Sequence, residues 1–275
     1  MASLQLLFVG IAGILAILYS GKASWLSKTL FYLYYGKTGC MPLPDLSNVT
    51  LHYFPVRGRG EAIRLLLTEA QISYTEYNFK DVQWSKAKQK GVKNGQYLFG
   101  QVPYLESPSS GVGLSQSHAI MHYLGRTTGM DCDCDMMHMC EILAQGTEDL
   151  RAKLAEVLHN PDFSLKLREQ YLNETLPVWL GYFEKLAPPL SKLNEAFFVN
   201  DRLTWVDFLL FDQLDSNMEF GRFEEYPDAM SVHVLKDFPK LRKYYNQMAA
   251  RPRIAAFLND TKRFKFALPR RPKDA

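Results

Sequence analysis

Residues 49–67, Val-Thr-Leu-His-Tyr-Phe-Pro-Val-Arg-Gly-Arg-Gly-Glu-Ala-Ile-Arg-Leu-Leu-Leu, place the hydroxyl of Tyr53 at the carboxyl end of a predicted first strand. The strand alternation stops at Tyr53, Pro55 ends the strand, and apolar residues at helical spacing follow a turn that contains Gly58 and Gly60. Ligands of open α/β sheets bind beyond the carboxyl ends of the strands. The stretch therefore predicts a ligand site around Tyr53, with a core tyrosine beside two solvated arginines as the alternative.

Length and composition are those of a globular chain. The 275 residues are 47% hydrophobic and 22% charged, enough for one large or two modest domains. The net charge of +3 is small and the basic residues alternate with acids, which excludes nucleic acid as a partner. Four clustered cysteines are too few for a disulfide framework and favour a reducing compartment; they are Cys40, Cys132, Cys134 and Cys140.

The amino terminus predicts a membrane segment. From Leu4 to Tyr19 every residue except Gln5 is apolar or small, and residues 1–22 have about the length that spans a bilayer. A cleaved signal peptide usually begins with basic residues, but no lysine or arginine precedes Lys22. Cleavage after Ala23, followed by secretion, remains the alternative.

The residues after this segment predict its orientation. Lys22, Lys28 and Lys37 follow it and no acid precedes Asp45, so the positive-inside rule places the remaining chain in the cytosol. Residues 23–47 read as a juxtamembrane segment and linker. Its aromatic-rich start either lies on the membrane surface or packs on the soluble domain.

The remaining chain divides into an α/β half, residues 48–129, and a helical half, residues 130–268. Thr204 and Asp207 predict a capped helix start in the second half. The predicted strands are 49–53, 74–79, 104–106 and 112–114. The predicted helices are 60–70, a weak one after Trp84, 115–125, 135–159, 163–186, 205–220, 239–250 and 253–258.

Two further motifs of the first half carry chemistry. Val102-Pro103 precedes a strand, where a cis bond makes a tight turn and leaves backbone groups free to pair with an extended peptide; a trans bond, the usual form before proline, is the alternative. Gln116 and Ser117 open a helix, whose positive amino end suits an anionic group; an ordinary serine cap is the alternative.

Together these motifs resemble the glutathione transferase family. Tyr-Phe-Pro-Val-Arg-Gly-Arg at 53–59 is similar to the pi class, and residues 58–67 fit the sigma class equally well. The resemblance covers about residues 48–268. It implies an α+β fold in which a thioredoxin-like domain precedes an all-helical domain, with the membrane segment in front of both.

The resemblance also implies roles for individual residues. Tyr53 would activate the sulfur of glutathione, because a phenol that donates a hydrogen bond stabilises the thiolate. Lys90 is the least certain assignment because residues 90–99 are longer than the family pattern, and Lys88 or Lys93 could replace it. The glutathione-binding residues implied are Phe54, Arg59, Trp84, Lys90, Gln101, Val102, Pro103, Gln116, Ser117 and Asp149.

The second substrate and the partners follow from the same resemblance. A hydrophobic electrophile would bind against Val56, Leu158 and His159, where His159 stands at a position that pi-like enzymes often give to tyrosine. A lone histidine at a helix end is more often a cap. Phe99 matches the aromatic residue that the family inserts into its partner, which implies a homodimer in which Asp149 reaches the neighbouring ligand; a solvated helix carboxylate is the alternative.

No metal is expected. Cys132, Cys134, His138 and Cys140 offer soft ligands, but their spacing does not match a structural zinc site.

Three functions remain open. The first is detoxifying conjugation of glutathione to hydrophobic electrophiles. The second is a sigma-like isomerase that uses the same thiolate on a prostaglandin-type endoperoxide. The third is a carrier without activity, which the intact thiol site disfavours.

Overall fold

The computed structural model of the protein describes residues 46–192, 197–199, 202–222 and 233–267. The predicted membrane segment, residues 1–22, and all but the last two residues of the predicted linker lie outside these ranges. Within them, no helix is both long enough and apolar enough to cross a bilayer. The predicted domain boundaries stay predictions, since the described residues form one compact unit that does not divide at 129–130.

The amino-terminal half is a four-stranded sheet with helices, as the sequence predicts. The strand order is β2-β1-β3-β4, with β1 and β2 parallel and the other two pairs antiparallel. Strand β1 is thus central, which puts its carboxyl end, and Tyr53, in the middle of one sheet edge. The elements are β1 Val49–Tyr53, α1 Glu61–Glu69, β2 Tyr74–Asn78, α2 Asp81–Lys93, β3 Tyr104–Ser107, β4 Val112–Ser115 and α3 Ser117–Thr128.

Two helix starts in this half differ from the prediction. Helix α2 begins before Trp84, because the Gln83 side chain accepts the backbone N–H of Lys80 at 3.3 Å and starts the helix there. Ser115 belongs to β4 and not to the following helix. Gln116, with φ of +75°, separates the two elements, and a residue in that region cannot continue a right-handed helix.

The carboxyl-terminal half is helical, and its most buried element is α7. Sixteen of the 18 residues of α7 are buried, so it packs on all sides, and α1 of the first half packs against it. The described elements are α4 Met137–Leu158, α5 Leu165–Gln170, α6 Leu176–Leu186, α7 Trp205–Arg222, α8 Pro239–Ala249 and α9 Pro252–Leu258.

The helix predicted over 163–186 is present from Leu165 to Leu186, but it is not regular. Helices α5 and α6 are joined by a π-helical turn, Tyr171–Thr175. Pro177 explains the irregularity, because its ring lacks an N–H and would collide with the carbonyl one turn earlier in a regular helix. A wider turn just before the proline relieves that collision.

The predicted start of the helix at 205 is confirmed. The Asp207 carboxylate accepts the backbone N–H of Thr204 at 2.8 Å and its hydroxyl at 2.9 Å. Tyr244 of α8 donates to the same carboxylate at 3.0 Å. Burial raises the pKa of Asp207 to about 6, and the bonds from Thr204 and Tyr244 oppose that shift. This buried cap therefore joins two helices as well as starting one.

The cysteines require a correction. Cys132 and Cys140 are joined as a disulfide, with their Cα atoms 6.5 Å apart, while Cys134 is exposed and free. Four cysteines are too few for a disulfide framework, but one local bridge needs only two, Cys132 before α4 and Cys140 in its first turn. In the described part of the chain no cluster of histidine, cysteine and carboxylate residues could hold a metal ion.

Candidate active site

The turn after β1 encloses the hydroxyl of Tyr53. Only 7% of Tyr53 is exposed, and its oxygen accepts the backbone N–H of Arg59 at 2.9 Å. A Cβ atom at Gly58 would come within 2.6 Å of that oxygen, and Gly58 has φ of +41°. A side chain at this position would therefore be both strained and in collision with the phenol.

The environment keeps the Tyr53 phenol neutral. Burial raises the pKa of Tyr53, and the hydrogen bond from Arg59 and the charges of Arg151, Arg59 and Arg64 oppose the shift without reversing it. The hydroxyl thus accepts one hydrogen bond and keeps its own proton to donate. A ligand atom that gains from such a donor is one that carries negative charge.

Beside Tyr53 lies a polar cavity of about 570 Å³. It collects eight of the residues that the sequence predicts for glutathione, together with Lys88, the stated alternative to Lys90, and three residues that sequence reasoning missed. The predicted ones are Phe54, Arg59, Trp84, Gln101, Val102, Pro103, Gln116 and Ser117. The missed ones are Gly100, His118 and Glu148.

Two backbone features shape this cavity. The Val102–Pro103 peptide is cis, as predicted. Ser117 is the first residue of α3, so the unpaired N–H groups of that helix start lie at the cavity wall beside Gln116. The positive end of α3 thereby offers a place for a carboxylate.

The orientation of helix α2 determines which lysine side chain lines the polar cavity. Trp84 is held by Phe54 and Phe79, with ring centroids 5.9 and 4.9 Å away. Lys88 follows one helical turn later and shares the face of Trp84, whereas Lys90 and Lys93 fall on other faces. Accordingly Lys88 lines the cavity, and neither Lys90 nor Lys93 is among the lining residues.

Helix α4 supplies the opposite wall through Glu148. The guanidinium of Arg59 makes two hydrogen bonds to the Glu148 carboxylate, and the His118 ring lies 3.8 Å from it. Burial lowers the pKa of His118, which is therefore neutral at neutral pH. Asp149, the residue predicted from the sequence, is exposed and lines neither the polar cavity nor its neighbour.

A second, more apolar cavity of about 400 Å³ adjoins the first. The two share Phe54 and Arg59, and Tyr53 lines the second one. All three residues predicted for a hydrophobic substrate are here: Val56, Leu158 and His159. Arg57, Gly58 and Leu154 line this cavity as well. Sequence reasoning missed the other lining residues, which are Arg151, Ala152, Ala155, Gln213, Ser216, Phe266 and Ala267.

Arg57 clamps the turn to the helical half. It is 9% exposed and donates to the Asp215 carboxylate at 3.2 Å and to the Phe264 carbonyl at 2.9 Å. Arg263 also binds Asp215, at 2.7 Å, and reaches Glu61 of α1 at 2.7 Å. Because its guanidinium is occupied by protein acceptors, Arg57 fixes the turn, and Arg59 is the arginine that faces the polar cavity.

The fold and the site define a class of enzyme. The neutral phenol of Tyr53 lines the apolar cavity and lies beside the polar cavity, whose wall includes the positive amino end of α3. The site belongs to a thioredoxin-like half that is followed by a helical half. That arrangement suits activation of a peptide-like thiol for attack on an apolar compound.

Comparisons with known proteins identify the family. Residues 49–126 match the family described as "Glutathione S-transferase, N-terminal domain", and residues 148–261 match "Glutathione S-transferase, C-terminal domain". Glutathione S-transferase P of Capra hircus is 30% identical over 214 residues, which cover 78% of this chain and 92% of the relative. The human protein of that name is 30% identical over 210 residues, 76% and 90% of the two chains.

Solved structures of similar proteins have the same fold. The pi-class glutathione S-transferase of Onchocerca volvulus superimposes with a TM-score of 0.63 at 25% identity, over 77% of this chain and 92% of that one. A prostaglandin synthase D of Nilaparvata lugens, at 23% identity and a TM-score of 0.61, shows the shared fold alone. The chain belongs to the glutathione S-transferase family, with pi-class enzymes among its relatives. It is an enzyme that uses glutathione as its co-substrate.

The geometry of α2 yields a prediction about glutathione binding. Replacing Lys88 by alanine should raise the KM for glutathione by about fivefold, the value of one solvent-exposed charge contact. Lys90→Ala and Lys93→Ala, which remove the same charge from other faces, should leave KM within about twofold. Steady-state kinetics with varied glutathione measures all three, and a larger effect of Lys90→Ala would refute the assignment of Lys88.

Proposed function

We propose that Tyr53 donates its proton in a hydrogen bond to the sulfur of glutathione and so favours the thiolate. An unperturbed thiol has a pKa of about 8.5 and is mostly protonated at neutral pH. Each unit by which that pKa falls requires about 1.4 kcal/mol, so one charge-assisted bond supplies one to two units. The observation that carries the proposal is the buried, neutral Tyr53 hydroxyl, held by Arg59 beside the polar cavity.

Glutathione fills the polar cavity in this proposal. Its γ-glutamyl end lies at Gln116 and Ser117, where the amino end of α3 favours a carboxylate; the Arg59 side chain in this wall is paired with Glu148. Its middle pairs with the backbone beside Val102, and its glycine carboxylate lies near Trp84 and Lys88. In this orientation of the tripeptide, the cysteinyl sulfur lies next to Tyr53.

The electrophile occupies the apolar cavity, on the other side of Tyr53. Val56, Leu158 and His159 supply the contacts, and Phe266 of the carboxyl-terminal tail completes the wall. The thiolate sulfur attacks an electrophilic carbon there and a carbon–sulfur bond forms. In a substitution the bond to the leaving group breaks and that group departs with the electron pair; in an addition a double bond opens and its electron pair takes up a proton from solvent. The reaction makes no covalent bond to the enzyme.

Removing the phenol tests this mechanism. Tyr53→Phe should lower kcat/KM for a general aryl electrophile by about 100-fold at neutral pH, because the thiolate loses its donor in a site shielded from water. The loss should shrink as the pH rises toward the pKa of the free thiol, since glutathione then ionises without help. Tyr77→Phe, which alters an exposed tyrosine of β2, is the matched control. An unchanged kcat/KM in Tyr53→Phe would refute the assignment.

We also propose a homodimer that Phe99 holds together. The segment that precedes Phe99 folds back onto α2, because the ring of Tyr97 packs on Gly91. The Tyr97 hydroxyl is also hydrogen-bonded to the His52 ring at 3.0 Å. Leu98 and Phe99 are left exposed by 62% and 65%. Two adjacent large apolar side chains on the surface are typical of an interface. In the dimer, Asp149 of one subunit approaches the glutathione of the other.

Sedimentation equilibrium tests the interface. Phe99→Asp should convert the dimer to monomers by leaving an unpaired charge in the contact. Val82→Asp places the same charge at a more exposed apolar position of α2 and should stay dimeric. A Phe99→Asp protein that remains dimeric at micromolar concentration contradicts this interface.

The amino-terminal segment is proposed as a membrane anchor that leaves the enzyme in the cytosol; the Cys132–Cys140 disulfide, a bond typical of oxidising compartments, is the observation that favours secretion instead. The support is sequence alone: the apolar run 4–19 and the lysines after it. The chain should stay with membranes during alkaline extraction, and Ile14→Arg with Leu15→Arg should release it. Release of the unaltered chain would overturn the anchor. Translocation and cleavage would instead expose the acceptor sequence Asn48-Val49-Thr50 to glycosylation, which mass spectrometry detects.

A further inference from the structure

The segment between α2 and β3, residues 94–103, forms one wall of the polar cavity although it is neither a helix nor a strand. It contributes Gly100, Gln101, Val102 and Pro103 to that wall. A segment without regular backbone hydrogen bonds keeps its position only through contacts with the rest of the fold. The shape of the polar cavity therefore depends on what anchors this segment.

Tyr97 is the side chain that anchors the segment. It is 4% exposed, whereas its neighbours Leu98 and Phe99 lie on the surface. Its ring packs so closely on Gly91 of α2 that a Cβ atom at Gly91 would lie 2.0 Å from it. The backbone N–H of Tyr97 donates to the Gly91 carbonyl at 3.0 Å, and its carbonyl accepts the N–H of Gly100 at 2.8 Å. The position of Tyr97 thus sets the position of Gly100, the first residue of the cavity wall.

The same ring supports the rest of the wall. Tyr97 packs in a small apolar cluster with Tyr104, their ring centroids 5.4 Å apart, and Val102 packs against that cluster. Gly100 in turn lies under the Lys88 side chain, because a Cβ atom at Gly100 would come within 2.8 Å of the Lys88 Cε atom. Both the backbone of the wall and the lysine beside it therefore follow the placement of Tyr97.

The Tyr97 hydroxyl ties the segment to the central strand of the sheet. Its oxygen lies 3.0 Å from Nδ1 of the buried His52, and Nε2 of His52 lies 3.3 Å from the Glu106 carboxylate. Burial lowers the pKa of His52 against the opposing charge of Glu106, so the ring is neutral at neutral pH and carries one N–H. A carboxylate only accepts, so this N–H is on Nε2, and Nδ1 accepts the proton of Tyr97.

This anchor is on the other face of β1 from the catalyst. His52 and Tyr53 are adjacent in β1, and adjacent side chains of a strand point to opposite faces of the sheet. Neither His52 nor Tyr97 lines the polar or the apolar cavity. The anchor acts on a ligand only through the segment that it holds, and it does not reach the reacting sulfur.

We propose that Tyr97 is a positioning residue for glutathione. Its hydrogen bond to His52 holds residues 100–102 where their backbone pairs with the extended tripeptide, and it keeps Gly100 under Lys88. The proposal rests on the place of glutathione proposed above. It adds to that site a residue that lines neither cavity.

Removing one hydroxyl tests the proposal. Tyr97→Phe keeps the ring on Gly91 and loses the bond to His52. The KM for glutathione should rise about fivefold, the value of one neutral hydrogen bond. The kcat at saturating glutathione should stay within about twofold, since Tyr53 is untouched. Steady-state kinetics of the full chain, with varied glutathione and a fixed aryl electrophile, measures both.

A double-mutant cycle tests whether the effect passes through His52. His52→Leu removes the same bond from the other side and should raise KM by a similar factor. Tyr97→Phe combined with His52→Leu should have a KM no higher than the larger single value, because the bond can be lost only once. Effects that multiply would show that the two residues act independently and would contradict the proposal.

Tyr171→Phe is the matched control for a loss of stability. The Tyr171 hydroxyl is also buried, and it donates to the Asn217 amide oxygen at 2.7 Å in the helical half. Its removal should lower the thermal midpoint about as much as Tyr97→Phe does and should leave KM unchanged. An equal rise in KM for both variants would assign the effect to general loosening of the fold and overturn the proposal.

Lys88→Ala separates failure of this anchor from failure of the proposed glutathione site. If Lys88→Ala raises KM and Tyr97→Phe does not, the site stands and the anchor is refuted. If neither variant changes KM, the place of glutathione and the anchor are both refuted, whatever Tyr53→Phe shows about the thiol. A KM of Tyr97→Phe that rises only where sedimentation shows monomers would assign Tyr97 to the contact made by Phe99 and would also overturn the proposal.

Discussion

The hydrogen bond from the backbone N–H of Arg59 to the phenolic oxygen of Tyr53 is the contact on which the site depends. It fills one acceptor position of the hydroxyl, so the proton is left for a ligand. The bond requires the backbone to close over the ring, and only glycine fits at 58, where a Cβ would touch the oxygen. Burial then keeps the phenol neutral, because it raises the pKa of Tyr53. Position, protonation and hydrogen-bond direction of the catalyst thus follow from one turn.

That turn is held by the other half of the chain. Arg57 binds Asp215 of α7, and Arg263 binds the same carboxylate together with Glu61 of α1. All four groups are buried, so loss of Asp215 would leave Arg57 without a carboxylate partner and should cost about 3–5 kcal/mol. The catalytic turn and the carboxyl-terminal tail are therefore fixed by the same buried acids. This explains why Phe266 of that tail stands in the wall of the apolar cavity.

Local sequence patterns predicted much of the fold of this protein. Alternation and glycine placement predicted β1 and its turn, and the capping sequence predicted the bond from the Thr204 backbone N–H to Asp207. The role of Arg57 was not predictable, because its partner Asp215 lies 158 residues away and an arginine beside a predicted site reads as a ligand contact. Lys88 was left open for a different reason. The choice among three lysines depends on where α2 begins, and helix starts are the least certain part of such a reading.

We expect the neutral phenol of Tyr53 to lower the pKa of the glutathione thiol. The most direct test measures the ionisation of the bound thiol. The ultraviolet absorbance of the thiolate can be followed against pH while glutathione occupies the purified enzyme. The account predicts an ionisation midpoint about one to two units below the usual 8.5, with no tyrosinate band below pH 10 from Tyr53. A bound thiol that still ionises near 8.5, or a Tyr53 that ionises in the same range, would contradict it.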